Sequence, residues 1–272
     1  MDRHPIVFIG GGNMARSLIG GLIARGHAPE ALRVAEPVAA LRDALAADFG
    51  VRARETGAEA ADGAGTWLLA VKPQVMRGVC ESLASLAQAQ RPLLVSIAAG
   101  ITTAQIDEWL GGGQAVVRSM PNTPALLGAG ATGLYANARV TPDQRQAAEN
   151  LMQAAGITAW IPEESLMDAV TAVSGSGPAY AFLLAEAMLA AAEAQGLAPD
   201  TARALVLQTI LGAARMLSES GEPAAVLRQR VTSPGGTTQA AIESFEAGGF
   251  RQLVDQAIAA ATRRGRELAG GG

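Results

Sequence analysis

The chain has 272 residues, 49% of them hydrophobic and 17% charged, with a formal net charge of -4 and a pI near 5.3. Such length and apolar content suit one large domain or two moderate ones and argue against disorder. The acidic balance argues against a nucleic-acid binder, which needs a basic face.

In chain order, short apolar runs alternate with helical stretches through the first half. Strands are predicted at 6–10, 32–35, 67–71, 93–97, 116–118 and 132–136, with helices at 14–25, 38–49, 75–87 and 103–110 between them. A helix at 142–155 and a strand at 157–161 follow. Continuous apolar strands alternating with helices indicate a parallel sheet covered on both faces. From Glu163 onward nearly everything is helix-compatible and alanine-rich, with helices predicted at 166–173, 178–195, 199–218, 223–230, 237–247 and 250–268. Pro178, Pro199 and Pro223 sit where helices should begin. The expected fold is therefore an α/β Rossmann-type domain over 1–162, followed by an all-α domain over 163–272. Gly270-Gly271-Gly272 is expected to be disordered.

The N-terminus leads into the first strand without a signal-peptide pattern. The most apolar long stretch, 179–197, carries Glu186 and Glu193, which would be costly in lipid. A cytoplasmic protein with no membrane or nucleic-acid partner is the expectation. Alanine-rich helices bury little area each, so a second copy should pair with the helical domain to form a homodimer.

Several absences narrow the chemistry. Cys80 is the only cysteine, so an intrachain disulfide or a cysteine-built metal site is not expected. The only histidines are His4, near the terminus, and His27, in a Gly-His-Ala-Pro turn; neither is placed for catalysis or for a two-histidine metal site. Lys72 is the only lysine.

Ile6-Val7-Phe8-Ile9 runs into Gly10-Gly11-Gly12-Asn13-Met14-Ala15, a Gly-x-Gly-x-x-Ala fingerprint between a strand and a helix. Gly10 permits the tight turn, Gly12 lets backbone reach a pyrophosphate, and Ala15 allows close helix–strand packing. Glu36, at the end of the second strand, is placed to bond ribose hydroxyls and repel a 2′-phosphate, which favours NADH. Arg33 and Arg42 argue the other way, so coenzyme preference stays open. Ala70-Val71-Lys72-Pro73 and Ser96-Ile97-Ala98-Ala99-Gly100 end two further strands, where ligands sit in parallel sheets. Lys72 reads equally as a contact to the coenzyme or as an exposed helix-start residue.

In the second half, Val231-Thr232-Ser233-Pro234-Gly235-Gly236-Thr237-Thr238 precedes a predicted helix. Hydroxyls and flexible backbone beside unpaired N–H groups suit either an anion or an ordinary helix cap.

Five segments together resemble pyrroline-5-carboxylate reductase: Ile9-Gly10-Gly11-Gly12-Asn13-Met14, Ala70-Val71-Lys72-Pro73-Gln74, Met120-Pro121-Asn122-Thr123-Pro124, the run Val170-Thr171-Ala172-Val173-Ser174-Gly175-Ser176-Gly177-Pro178-Ala179-Tyr180, and Val231–Thr238. The resemblance implies NAD(P)H-dependent reduction of (S)-1-pyrroline-5-carboxylate to L-proline, the last step of proline biosynthesis. It also implies a helical domain that interlocks with a partner's and, in many members, decamers of five dimers. NADPH is the implied coenzyme, with NADH also compatible given Glu36. The implied coenzyme residues are Gly10, Gly12, Asn13, Met14, Glu36, Ala70, Val71, Lys72, Pro73, Ala98 and Ala99. By similarity Thr238 contacts the ring nitrogen and relays the proton, while Ser233 and Thr237 grip the carboxylate. Glu164 aligns with a position that approaches the substrate, or else is an acid at a helix N-terminus. Ser174 and Ser176 read as helix capping and packing beside the pocket.

Two departures fall on the adenosine side: Gly57 stands where relatives often carry an asparagine, and Glu36-Pro37 where they often carry a small polar or basic residue. A 3-hydroxyacid dehydrogenase would need a lysine in the helical domain, and none follows Lys72. A non-catalytic nucleotide-binding scaffold should have lost Ser233, Thr237 and Thr238, and all three are present.

Overall fold

A computed structural model describes residues 5–270. His4, Gly271 and Gly272 lie outside the described residues, whereas Gly270, expected to be disordered, closes the last helix. The first part of the chain forms β1 (Ile6–Ile9), α1 (Asn13–Ala24), β2 (Leu32–Ala35), α2 (Ala39–Phe49), β3 (Arg52–Arg54), α3 (Gly57–Ala61), β4 (Thr66–Leu69), α4 (Pro73–Gln90), β5 (Leu93–Ser96) and α5 (Thr103–Trp109). It continues with β6 (Ala115–Met120), β7 (Gly130–Ala136), α6 (Pro142–Gln153), β8 (Gly156–Trp160) and α7 (Met167–Val170). Five more helices follow: α8 (Gly177–Ala194), α9 (Pro199–Glu219), α10 (Ala224–Arg230), α11 (Thr237–Ala247) and α12 (Phe250–Gly270).

The strands make one sheet in the order β3-β2-β1-β4-β5-β6-β7-β8. Every neighbouring pair is parallel except β6 with β7, where Arg118 faces Tyr135 and Met120 faces Gly133. Residues along each central strand alternate between two apolar layers. Phe8, Leu68 and Val95 enter one layer with α1, while Val7, Ile9, Trp67, Leu69 and Leu94 enter the other with α4. Burial on both faces explains the unbroken apolar runs. Cys80 belongs to the second layer, and burial pushes its thiol up to about 12, so it is a core side chain rather than a nucleophile.

Helix starts follow local chemistry. Reciprocal caps pair Thr102 with Gln105 at α5 and Thr141 with Gln144 at α6. Pro73, Pro142 and Pro199 occupy the first turns of α4, α6 and α9. Pro178 is the second residue of α8, and Pro223 immediately precedes α10.

The chain divides into two compact units: residues up to Ser176 together with Ala261 onward, and Gly177–Ala260. The composition changes near Glu163, but the segment from Glu164 to Gly175 belongs to the sheet unit. That segment also departs from the single helix predicted at 166–173. A 3-10 turn over Glu164–Leu166 leads into α7, which widens into a π-helical turn over Thr171–Gly175. The hydroxyls of Thr171 and Ser174 donate to the carbonyls of Met167 and Val170, and such back-bonding loosens a regular helix. The Ser174 hydroxyl is thus bonded within its own turn.

In the helical unit, α8 is apolar around its whole circumference, interrupted by Glu186 and Glu193, yet none of its residues is buried. Ala202, Val206 and Leu227 are the only buried hydrophobics of residues 177–260. Among the described residues no helix is long and apolar enough to cross a membrane.

Candidate active site

The sheet reverses direction of growth between β1 and β4, and ligands of such sheets lie beyond the carboxyl ends of the strands at that crevice. Backbone bonds line those ends up. The Gly10 N–H donates to Ala35 O at 2.9 Å, Ala70 N–H to Ile9 O at 2.8 Å and Ile97 N–H to Leu69 O at 3.2 Å. The first unit therefore gathers the glycine loop, Glu36, the 70–73 turn and the 98–99 turn, all from strands adjacent in the sheet.

The glycines divide by cause. Gly10 has φ +106°, and a Cβ there would lie 2.7 Å from Ala70 O, so the bare fold demands glycine. Gly11 is buried; its N–H donates to Glu36 Oε2 at 3.1 Å, and a Cβ would strike Leu45. Gly12 is different: it is exposed, at an ordinary φ of -69°, and a Cβ there would meet nothing within 4 Å. It precedes α1, whose N-terminus has no side-chain cap and no acid in its first turn. Open space, unpaired N–H groups and a favourable dipole together fit a pyrophosphate.

The remaining coenzyme candidates lie at the start of α1 and at the carboxyl ends of β4 and β5. Asn13 is exposed and Met14 half-buried at the start of α1. Lys72 is exposed as the residue before α4, with half-buried Ala70, Val71 and Pro73 beside it. Ala98 is buried and turned by its N–H onto Ser96 Oγ at 3.3 Å, while Ala99 is exposed.

Glu36 is only 7% exposed, and its carboxylate is engaged at both oxygens, accepting Gly11 N–H at Oε2 and Val38 N–H at Oε1, each at 3.1 Å. Arg42 wraps the same corner, donating to the carbonyls of Glu36 and Pro37 at 2.8 Å, and lies 3.6 Å from Glu55. Arg33 reaches the carbonyl of Asp62 at 2.6 Å. Gly57 opens α3, where a Cβ would come within 3.2 Å of Leu83.

Glu164 lies in the first unit, far in sequence from the residues it touches. Its Oε1 accepts Thr103 N–H at 2.7 Å and its Oε2 accepts the Thr103 hydroxyl at 2.8 Å. Arg118 on β6, nearly buried, approaches Glu164 at 3.5 Å and Asp168 at 3.8 Å. Sequence reasoning passed over Arg118, although an arginine inside the apolar run Val116-Val117-Arg118 is itself a sign of a buried anionic partner. Asn122 has a structural task that its place in the Met120–Pro124 run does not reveal. It ties Ser174 O at 2.9 Å and accepts Ala131 N–H at 2.9 Å, holding the π-helical turn against the sheet.

Ser233, Thr237 and Thr238 belong to the second unit. Gly236 precedes α11 and no side chain caps that helix. Gly235 adopts φ +68°, and its N–H donates to Gln239 Oε1 at 2.7 Å. Ser233 and Thr237 are exposed and Thr238 is half-buried. The helix start is thus left open to an anion rather than closed by a side-chain cap.

Residues 164–268 match the family model described as pyrroline-5-carboxylate reductase dimerisation, and residues 5–100 match one described as NADP oxidoreductase, coenzyme F420-dependent. The chain is 53% identical over 269 residues to the pyrroline-5-carboxylate reductase of Pseudomonas aeruginosa, covering 99% of this chain and 98% of that relative. It is 43% identical over 269 residues to that of Haemophilus influenzae, with 98% of each covered. Among solved structures, a pyrroline-5-carboxylate reductase from Coxiella burnetii gives a TM-score of 0.95 at 44% identity, covering 98% of this chain and 99% of that one. The pyrroline carboxylate reductase of Plasmodium falciparum, solved with NADP bound, gives 0.86 at 28% identity over 99% of each chain.

Proposed function

This chain belongs to the pyrroline-5-carboxylate reductase family, and from that membership we propose how its residues divide the reduction of (S)-1-pyrroline-5-carboxylate to L-proline. The bound nicotinamide coenzyme supplies the hydride to the imine carbon. An imine can be protonated near neutral pH, so the chain needs to orient the ring and bond its nitrogen rather than supply a strong acid. That requirement suits a site without histidine. Thr238 bonds the ring nitrogen and relays the proton. Ser233, Thr237 and the N–H groups opening α11 hold the carboxylate. The observation that carries this reading is the uncapped start of α11, with hydroxyls on either side of a Gly-Gly turn.

Purified protein supplied with pyrroline-5-carboxylate is expected to oxidise NADPH or NADH, followed at the reduced-nicotinamide absorbance. A folded sample that turns over with neither coenzyme overturns the proposal.

On the coenzyme side, Gly10, Gly12, Asn13 and Met14 form the pyrophosphate cradle. Ala70, Val71, Lys72, Pro73, Ala98 and Ala99 line the crevice beyond β4 and β5. Glu36 sits at the adenosine end, where its charge works against a 2′-phosphate. Glu36→Ser is expected to raise the ratio of kcat/KM for NADPH over NADH by roughly tenfold, the scale of one charge–charge interaction near a protein surface. The variant also loses the bond to Gly11 N–H, which weakens both coenzymes alike, so the ratio isolates the charge. An unchanged ratio contradicts the role.

A second copy of the chain completes the helical unit. A helix apolar all round belongs in an interior, yet α8 has no buried residue, and Phe182 and Leu183 are 67% and 65% exposed. A homodimer through Gly177–Ala260 covers that surface, and assembly of five such dimers into a decamer extends the same reading.

A further inference from the structure

We infer that Glu164 is a positioning residue for coenzyme binding, fixing the loop between β5 and α5 through Thr103 rather than meeting the substrate. The inference rests on the reading above that Ala98 and Ala99 face the coenzyme.

The loop over 97–102 leaves the sheet at a defined point, because Ile97 N–H bonds Leu69 O and Ala98 N–H turns onto Ser96 Oγ. Its far end enters α5 through the reciprocal cap, with Gln105 N–H on Thr102 Oγ1 at 3.2 Å and Thr102 N–H on Gln105 Oε1 at 2.9 Å. That cap is internal to α5. It sets where the helix begins along the chain, not where the helix start lies relative to the crevice. Glu164 supplies the missing tie, since its carboxylate takes both the N–H and the hydroxyl of buried Thr103, 61 residues away in sequence. Glu164 is in turn held by Arg118 of the central sheet. The physical chain therefore runs from β6 through Arg118, Glu164 and Thr103 to the loop that carries Ala98 and Ala99.

Both carboxylate oxygens are engaged in this tie, and Arg118 approaches Oε1 as well, so the carboxylate is directed toward Thr103 and the sheet. Bonds to an ionised acceptor are the stronger kind, and an isosteric amide preserves their geometry. Without the tie the loop samples other positions, and coenzyme affinity falls by the fraction of time the competent position is lost.

The test uses the full chain, with NADPH and NADH titrated by fluorescence and hydrogen exchange read over 97–102. Glu164→Ala is expected to raise the Kd of both coenzymes about tenfold, speed exchange in that segment, and leave the KM for pyrroline-5-carboxylate unchanged at saturating coenzyme. Glu164→Gln should restore Kd to within about twofold, because its amide oxygen accepts Thr103 N–H and its NH2 donates to the hydroxyl. Asp168→Asn shares Arg118 but does not touch Thr103, so it should bind coenzyme as the wild type does. Wild-type Kd in folded Glu164→Ala, a rise in substrate KM alone, or a Gln variant as weak as Ala overturns the inference. So does an Asp168→Asn variant as weak as Glu164→Ala, which would assign the effect to the Arg118 pairing. Where Glu164→Ala does not fold, Thr103→Val loses only the hydroxyl bond and should raise Kd about threefold; no rise overturns the inference. If coenzyme fails to slow exchange over 97–102 in the wild type, the loop's placement at the coenzyme falls and takes this inference with it. Slowed exchange in the wild type, with unchanged Kd in Glu164→Ala, removes the inference alone.

Discussion

Thr238→Ala is expected to lower kcat by roughly tenfold to a thousandfold while leaving the protein folded. The hydroxyl is assigned to the ring nitrogen, whose charge changes as hydride arrives and the amine forms. A bond that strengthens only in that change lowers kcat when removed, whereas a bond made equally to bound substrate raises KM. Ser233→Ala should show the second pattern, because the carboxylate it grips keeps its charge throughout. Stability offers no competing explanation: Thr238 is half-buried in the first turn of α11, and alanine is the better helix former. Thr238→Ser retains the hydroxyl and should recover most of the rate. A Thr238→Ala enzyme with wild-type kcat reduces the residue to packing.

Features fixed by neighbours along the chain were the legible ones. The central strands appear as apolar runs because both faces are covered, and the helices of the second half begin beside their prolines. Arg52–Arg54 could not be seen: Arg-Ala-Arg has no apolar signal, and it becomes the edge strand β3 only by pairing with β2. The antiparallel direction of β7 was invisible for a related reason, since a strand's residue pattern is the same whichever way it runs. The broken helix between Glu164 and Gly175 depends on Asn122, which lies 52 residues before the Ser174 carbonyl it binds.

The site divides in the same way. The glycine fingerprint is local geometry, and Gly10 meets the steric demand expected of its tight turn, whereas the one at Gly11 was not foreseen. The Glu164–Thr103–Arg118 cluster joins three distant segments through side chains, and no spacing rule reaches across them. Ser233, Thr237 and Thr238 were conspicuous as hydroxyls before a helix, but their division of labour came only from resemblance. Glu36 was legible as a strand-end acid, though not as an acceptor bonded to the glycine loop itself.

Gly12→Ala is expected to leave folding intact and weaken coenzyme binding roughly tenfold to a hundredfold, the loss of one N–H bond to a charged phosphate at about 1.5–3 kcal/mol. The contrast with Gly10 makes the argument. At Gly10 both the backbone angle and Ala70 O forbid a side chain, so Gly10→Ala should damage stability and binding together. At Gly12 the angle is ordinary and the space beyond Cα is open, so no steric demand of the protein alone asks for glycine. Alanine at a helix N-cap costs about 1 kcal/mol relative to glycine, which keeps Tm within a few degrees. On the proposed reading a coenzyme pyrophosphate presses against the start of α1, and a methyl group there would hold its phosphates away from the N–H donors. Calorimetry for Tm and fluorescence titration for Kd separate the two effects. A Gly12→Ala protein that binds NADPH and NADH as tightly as the wild type would put the pyrophosphate elsewhere.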